Sequence, residues 1–191
     1  MIIMGPPGAG KGTQASTIAS AAGVPAISTG EIFRRHVAEK TELGTKVAAL
    51  IEAGEYVPDE LTNELVASRL SEDDAQEGFL LDGYPRNPAQ VAKLDEILEE
   101  MDTELDLALE LVLDRETLVE RLLGRAKTEG RADDTEEVIR RRMEVYEEQT
   151  RPISDIYASR GILRQVDGDG SIEEVAERLA AAISDRSGHH R

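Results

Sequence analysis

Five short apolar runs, separated by longer stretches with helical periodicity, form the main pattern of this chain. The runs are continuously apolar, which is typical of strands that are buried on both faces of a parallel sheet. They predict strands at residues 2–4, 24–27, 79–81, 107–113 and 162–166. Because helical segments alternate with these runs, the pattern predicts an α/β fold with a five-stranded parallel sheet and helices on both faces.

Two regions do not look like plain connections between strands. Residues 30–60 carry helical periodicity at 32–38 and 45–53, so we expect a helical insertion between the second and third strands. Residues 124–135 are polar and lack apolar periodicity, and we interpret them as a mobile flap. No internal repeat or low-complexity linker divides the chain, which favours a single domain over residues 1–191.

The glycine-rich segment after the first run carries the strongest functional signal. It reads GPPGAGKGT over residues 5–13 and leads into a helix-forming stretch at 14–22. A strand that turns through glycines into a helix directs backbone N–H groups and the positive end of the helix at one point, which suits a phosphate. Lys11 adds an ammonium that can reach the outer phosphates, so this loop predicts nucleotide binding. Gly12 stands where the general motif has Ser or Thr, and the hydroxyl follows at Thr13.

Composition restricts the class of partner and the compartment. The 191 residues carry a formal net charge of −17, from 22 Lys and Arg against 39 Asp and Glu. Such an acidic surface repels the phosphates of nucleic acids, so we expect no nucleic acid partner. The chain has no cysteine, which excludes disulfides and thiolate metal sites, and no apolar run long enough for a membrane span. We therefore expect a cytoplasmic protein that does not bind membranes.

The third apolar run ends in a candidate metal ligand. Asp82 follows this run directly, and in proteins with such a phosphate loop the strand lies beside the loop. We expect Asp82 to hold Mg²⁺, directly or through water, although an Asp at a strand end is also a common turn former. The turn that follows leaves Arg86 at the carboxyl edge of the sheet, where ligands of open α/β sheets bind.

Later arginines divide into surface residues and candidate phosphate ligands. Arg140 and Arg141 have glutamates three or four residues away, which favours ordinary ion pairs on a helix surface. For Arg141 these are Glu137 and Glu144. Arg142 instead has apolar neighbours at these spacings, so we expect it to project from the buried side of its helix toward an interior cleft. A cation there needs an anion, and phosphate is the obvious candidate.

Two more arginines, Arg125 and Arg131, lie in the expected flap, each beside a glycine. Mobile arginines near a phosphate loop suit phosphoryl transfer, in which catalysis is mostly positioning and neutralisation of charge. No residue looks placed as an obligatory general base. A phosphate acceptor needs none, because its oxygen is already ionised near neutral pH.

Together these residues resemble the adenylate kinase family over essentially the whole chain. The matching segments are residues 5–13, 28–31, 79–86 and 130–134. The resemblance implies a P-loop kinase three-layer fold, a monomer, and the reaction Mg·ATP + AMP ⇌ 2 ADP, which balances adenine nucleotides. It also explains Gly12, since the family's loop ends in Gly-Lys-Gly-Thr, and it implies that Thr13 and Asp82 hold Mg²⁺ mostly through water.

The resemblance places ATP and AMP on opposite sides of one site. On the ATP side it implicates Gly8, Ala9, Gly10, Lys11, Gly12, Thr13, Arg125 and Gly170. On the AMP side, which includes an insertion at residues 28–57, it implicates Thr29, Arg34, Glu55, Tyr56, Val57, Gly83, Tyr84, Pro85, Arg86 and Gln90. Arg131 and Arg142 would bridge toward the transferred phosphoryl group and complete a catalytic set with Lys11, Arg86 and Arg125.

Some of these positions have simpler interpretations. Thr29 suits a helix cap, Gln90 a surface residue, and Arg121 either stacks on the ATP base or is an ordinary helix-surface residue. Related UMP/CMP kinases tend to carry Ala and Asn where Thr29 and Gln90 stand, and a glutamine amide can pair with adenine, so AMP is favoured. The alternatives are a pyrimidine-nucleotide or other small-molecule kinase, and a module that senses nucleotide without transfer. A sensor needs fewer phosphate-contacting side chains than the five in the catalytic set.

The flap departs from many relatives, which insert a small β subdomain there, sometimes with a cysteine-ligated zinc. Residues 124–134 leave room only for a short lid, as in the family's short-lid forms. With no cysteine in the chain, that zinc site cannot form, and we expect no zinc.

Overall fold

A computed structural model describes residues 1–129 and 135–185 and contains a five-stranded parallel sheet. The strand order is β2-β3-β1-β4-β5, which confirms the predicted fold class. All five strands begin and end within two residues of the predicted positions. They are β1 (Ile2–Met4), β2 (Ala26–Ser28), β3 (Leu80–Asp82), β4 (Ala108–Val112) and β5 (Leu163–Asp167).

The central strand determines what meets at the carboxyl edge of the sheet. Strand β1 pairs with both β3 and β4, and Ile3 lies in register with Asp82 on one side and Leu109 on the other. The chain therefore leaves β1 into the glycine-rich loop at the same edge where β3 ends in Asp82. This is the edge at which open parallel sheets bind ligands.

Helices connect the strands and cover the sheet. They are α1 (Lys11–Ala22), α2 (Thr29–Ala38), α3 (Glu42–Glu52), α4 (Asp59–Leu70), α5 (Pro88–Glu100), α6 (Arg115–Glu129), α7 (Glu136–Val145), α8 (Pro152–Ser159) and α9 (Ile172–Ser184). A 3₁₀ turn lies at Asp73–Ala75, and a π-helical turn at Tyr146–Thr150 continues α7. Within the described residues, no helix is long and apolar enough to cross a membrane.

Two apolar cores lie on opposite faces of the sheet, as a three-layer fold requires. Successive residues of β1 point to different faces, so Ile2 packs in one core and Ile3 in the other. The first core includes Leu81 with Leu94 of α5, and the second includes residues of α1 and α9. Burial on both faces explains why the strands are continuously apolar in sequence.

The region between β2 and α4 has a small core of its own, built on Phe33, Val47 and Val57. Its two helices begin three residues earlier than their periodicity predicts, because polar side chains cap them. Ser28 accepts a hydrogen bond from the backbone of Glu31 at 3.4 Å, and Thr41 accepts one from Gly44 at 3.0 Å. Such caps satisfy N–H groups that the first turn leaves free.

The structure differs from the predicted flap in its first half. Helix α6 continues through Gly124 and ends at Glu129, while residues 130–134 lie outside the described part of the chain. Leu123 and Gly124 are exposed, so the helix continues here without burying these two positions. The polar sequence at the start of the predicted flap is therefore compatible with a regular helix.

Candidate active site

The glycine-rich loop has the backbone conformation that its composition predicts. Gly8 and Gly10 have φ angles of +87° and +88°, and Gly10 is the N-cap of α1. A Cβ atom on Gly8 would lie 2.9 Å from the carbonyl oxygen of Leu118, so a side chain is excluded there. Consecutive turns of this kind at a helix N-terminus form a concavity for an anion.

Lys11 lies across this concavity. Its Nζ donates hydrogen bonds to the carbonyl oxygens of Gly5 at 2.8 Å and Pro6 at 3.0 Å. Burial lowers the pKa of Lys11 to about 8; Asp82 opposes this shift, while the positive charges of three arginines add to it. These arginines are Arg86, Arg142 and Arg125. Four cationic groups thus line the same cleft, which suits an anionic ligand.

Two residues with oxygen donors, Asp82 and Thr13, line the cleft beside the loop. Asp82 is 8% exposed at the end of β3, and a Cβ atom on Gly12 would lie 3.8 Å from its Oδ2. Thr13 is exposed in the first turn of α1, and both residues line the cleft. Carboxylate and hydroxyl oxygens together with water suit Mg²⁺. Within the described residues, no three His, Cys, Asp or Glu side chains group together as an all-protein metal site.

A cleft of about 820 Å³ joins the loop, the region after β2 and the turn after β3. It brings together most of the residues that the sequence implicated. Those lining it are Gly8, Gly10, Lys11, Gly12, Thr13, Thr29, Arg34, Glu55, Tyr56, Val57, Asp82, Gly83, Tyr84, Pro85, Arg86, Gln90, Arg125 and Arg142. Ala9 is instead buried in the core, and Gly170 does not line the cleft. Arg131 lies outside the described residues.

Arg86 is held at several of its atoms. Its Nε donates a hydrogen bond to the carbonyl oxygen of Gly83 at 2.6 Å, and its guanidinium carbon lies 4.7 Å from the ring centroid of Tyr56. Its backbone N–H donates to Oε1 of Gln90 at 2.7 Å, and its carbonyl oxygen accepts a hydrogen bond from Thr150 at 2.7 Å. The guanidinium therefore faces the cleft from a well-defined position.

Gln90 is 1% exposed, so its interpretation as a surface residue is wrong. Its Nε2 donates a hydrogen bond to Oδ1 of Asp59 at 2.8 Å, while its Oε1 accepts the N–H of Arg86. Burial of an amide requires such partners. The amide still has one hydrogen and one lone pair beyond these two bonds, which is enough to meet a nucleobase edge.

Thr29 is not the cap of α2, because Ser28 occupies that position. The Thr29 hydroxyl donates instead to the carbonyl oxygen of Gly83 at 3.0 Å, which joins the start of α2 to the turn after β3. A Cβ atom on Gly30 would lie 3.2 Å from Nη1 of Arg34, so the guanidinium of Arg34 lies close to the first turn of α2. Both side chains line the same side of the cleft.

Helix α7 separates its arginines as predicted, with one correction. Arg140 pairs with Glu136 at 3.1 Å, and Arg142 is half-buried and lines the cleft. Arg141 pairs mainly with Glu55, at 2.5 and 3.1 Å, and lies 3.5 Å from Glu144. Among the described residues it forms no pair with Glu137. The residues that carry this bridge are 86 positions apart, so the helix spacing alone could not indicate it.

Arg121 and several neighbours extend the cleft on the side of α6. Arg121 lines the cleft and donates a hydrogen bond to the carbonyl oxygen of Gly168 at 3.1 Å, so it is more than a helix-surface residue. The π-helical turn also reaches the cleft, through Tyr146 and Thr150. Sequence reasoning missed these two residues, because nothing in the local pattern marks a π-helical turn.

The chain is similar to known adenylate kinases over nearly its whole length. The family model for adenylate kinase matches residues 3–162. An adenylate kinase of Clavibacter michiganensis subsp. michiganensis is 57% identical over 186 residues, which cover 97% of this chain and 93% of that protein. One from Leifsonia xyli subsp. xyli is also 57% identical over 186 residues, covering 97% and 94%. One from Kocuria rhizophila is 56% identical over 183 residues, covering 96% and 97%.

Proposed function

The chain belongs to the adenylate kinase family and catalyses reversible phosphoryl transfer between ATP and AMP, and we propose that the cleft at the carboxyl edge of the sheet holds both nucleotides. The observation that carries this proposal is the arrangement of charge. Arg86 and Arg142 are both close enough to Lys11 for their charges to interact with it, and all three residues line the cleft that joins the glycine-rich loop to the region after β2. A pair of phosphate chains meeting end to end matches this distribution.

We assign ATP to the side of the glycine-rich loop. The loop backbone from Gly8 to Thr13 would surround its β- and γ-phosphates, with Lys11 moving from the carbonyl oxygens of the loop to the phosphates. Arg125 on α6, which lines the same cleft, would add positive charge beside these phosphates. The adenine would lie near Arg121, whose bond to the Gly168 carbonyl ties α6 to the segment that carries Gly170.

We assign AMP to the opposite side, with residues 28–57 as the insertion that binds it. Thr29 and Gln90 are both buried and both line the cleft, so their polar groups are available to a base or ribose only through the cleft. Arg34 and Arg86 would hold the AMP phosphate. Residues 55–57 would contribute their backbone.

The chemistry then consists of positioning and neutralisation of charge. An oxygen of the AMP phosphate is already ionised near neutral pH, so no side chain has to remove a proton from it. Arg86 and Arg142 would stabilise the charge on the transferred group, a role in which arginine is favoured by its fork of donors. Arg131 is proposed for the same role from its sequence position alone.

Magnesium enters with ATP in this family, and when bound it neutralises charge on the phosphates. Thr13 and Asp82 would hold it, mostly through water, because they supply the oxygen donors that face the loop. The short lid at residues 124–134 would exclude water from the transferred group, since water can otherwise accept it. A monomer in the cytoplasm, with no nucleic acid partner, completes the proposal.

The site assignment is tested by ADP formation from Mg·ATP and AMP, with CMP, UMP and GMP as competing acceptors. AMP should be preferred, and Arg86→Ala or Arg142→Ala should lower kcat by about 10²–10³-fold, the range seen when a donor to a developing charge is removed. Arg140→Ala is the matched control, because Arg140 is an exposed arginine of the same helix as Arg142 and pairs only with Glu136 among the described residues. Full turnover in either cleft variant would contradict its assigned role.

A further inference from the structure

Three contacts connect Tyr56, Thr150 and Arg86 in a closed triangle. The hydroxyls of Tyr56 and Thr150 are 2.6 Å apart, and the Thr150 hydroxyl lies 2.7 Å from the carbonyl oxygen of Arg86. The guanidinium carbon of Arg86 lies 4.7 Å from the Tyr56 ring centroid. The three residues come from different parts of the chain, namely the segment before α4, the π-helical turn and the turn after β3.

The hydrogens in this triangle have only one possible arrangement. A carbonyl oxygen can only accept, so Thr150 uses its single hydroxyl hydrogen on Arg86. Tyr56 must then donate its own hydrogen to the oxygen of Thr150. Thr150 is 5% exposed, so its hydroxyl cannot exchange either partner freely for solvent. Loss of the Thr150 hydroxyl would leave both Tyr56 and the Arg86 carbonyl without their partner.

The triangle does not use the two terminal nitrogens of the Arg86 guanidinium. Nε is used by the Gly83 carbonyl, and one face of the guanidinium is covered by the Tyr56 ring. The two terminal nitrogens form no hydrogen bond with any described residue. An arginine side chain has many rotamers, and ordering it in one of them lowers its conformational entropy. If Arg86 is already ordered before the substrate binds, this entropy is not lost in the phosphoryl-transfer step.

We propose that Tyr56 and Thr150 are positioning residues for Arg86, in addition to any contact that the backbone of Tyr56 makes with AMP. This inference rests on the proposed role of Arg86 at the phosphates. Tyr56 restricts the guanidinium by its ring, and Thr150 restricts the Arg86 backbone. Neither side chain needs to contact a nucleotide for this role.

A neighbouring contact separates positioning from simple docking of the segment. Glu55, the residue before Tyr56, pairs with Arg141 of α7. This pair also joins the segment before α4 to α7, which continues into the π-helical turn. That pair does not touch Arg86. If docking alone mattered, breaking the pair with Glu55 through Arg141→Gln would damage the reaction as much as changing Tyr56.

The experiment measures kcat and KM for AMP and ATP separately in single and double variants. Tyr56→Leu should lower kcat/KM for AMP about fivefold to tenfold, the equivalent of a partly desolvated cation–π contact, while KM for ATP stays within about twofold. Tyr56→Phe keeps the ring and should lose only about twofold to threefold. Thr150→Val should reduce kcat/KM for AMP, and Thr150→Ser, which keeps the hydroxyl, should restore it. Arg141→Gln should leave kcat unchanged.

A double variant provides the decisive result. On an Arg86→Ala background, Tyr56→Leu should cause no further loss, because the group that it positions is gone. Additive losses, an equal loss in Arg141→Gln, or normal kcat/KM in both Tyr56→Leu and Thr150→Val would overturn the inference. If Tyr56→Leu does not fold, Tyr56→Phe and the Thr150 pair decide alone. Normal turnover in Arg86→Ala would instead overturn the role of Arg86 in the proposed function.

Discussion

Asp59 fixes the orientation of the Gln90 amide. Oδ1 of Asp59 lies 2.8 Å from Nε2 of Gln90 and 2.9 Å from Nδ2 of Asn87. Because an ionised carboxylate can only accept, the nitrogen end of the Gln90 amide must face Asp59 and its oxygen must face the backbone of Arg86. A residue that the sequence did not implicate therefore fixes the direction in which the Gln90 amide presents its remaining hydrogen and lone pair.

Asp59→Ala should weaken AMP binding without abolishing turnover. The Gln90 amide would lose a charged acceptor and its fixed orientation, so we expect KM for AMP to rise about tenfold and KM for ATP to change little. Steady-state kinetics with each nucleotide varied in turn measures this. Asp95→Ala is the control. Asp95 lies on α5 and forms an exposed ion pair with Arg160, so this variant removes the same charge away from the cleft. Equal effects in both variants would contradict the role of Asp59.

Nucleotide binding should be coupled to protonation of Lys11 in mild alkali. The pKa of Lys11 is lowered to about 8 by burial, below the value of an unfolded chain, so the charged form costs stability at low pH. The cost disappears as the pH rises from about 8, the pKa of Lys11 in the folded protein, to 10.5, its value in an unfolded chain. The free energy of unfolding therefore increases over this pH range. Phosphates should raise the pKa again, so ATP binding should take up protons.

Titration calorimetry near pH 8.5, in two buffers with different ionisation enthalpies, should show uptake of about half a proton or more per ATP bound. Lys11→Arg is the control, because arginine stays protonated throughout this range. Equal proton uptake by the variant would mean that another group accounts for it.

A buried carboxylate in β4 should contribute measurably to stability. Glu110 is 6% exposed, and it accepts hydrogen bonds from Ser154 at 2.6 Å and Gln165 at 2.9 Å. Ser154→Ala should lower the free energy of unfolding by about 1–3 kcal/mol, because it leaves a buried acceptor without its partner. Urea denaturation measures this. Glu147→Ala, which breaks the exposed pair with Arg151, should shift the midpoint of urea denaturation much less. A neutral Ser154→Ala would contradict this account.

The contact between α2 and α3 should tolerate only glycine at position 44. A Cβ atom there would lie 2.0 Å from the carbonyl oxygen of His36, so Gly44→Ala requires the two helices to separate. We expect a loss of about 2 kcal/mol or more in the free energy of unfolding, and a larger rise in KM for AMP than for ATP. Gly124→Ala in α6 is the comparison, because its Cβ would meet no described atom within 4 Å. It should raise stability by up to about 1 kcal/mol through helix propensity.

Local sequence was sufficient wherever a feature depends on neighbours along the chain. The glycine-rich loop needs only a short strand, glycines at the turns and a following helix, so residues 5–13 predicted it directly. The five strands were found because burial on both faces makes each of them apolar throughout. The arginine pairs on α7 followed the helix period, except where Glu55 approaches from another part of the chain.

The resemblance to a family supplied the site residues that no local pattern marks. Thr29 and Gln90 have simpler interpretations in isolation, as a cap and as a surface residue, and both are wrong. Their burial is decided by the turn after β3, which lies beside α2 only in the folded chain. The lid remains a prediction, since α6 extends into its first half and residues 130–134 lie outside the described part.

Short motifs and the period of the apolar residues are enough to define the fold class, the phosphate loop and the family. The side chains that support those motifs can be identified only in the folded chain. Tyr56 contacts Thr150 across 94 positions, and Asp59 contacts Gln90 across 31. Such hydrogen bonds require the distance between two remote segments to be correct to within a few tenths of an ångström. The sheet brings these segments together, and no local pattern encodes the distance between them.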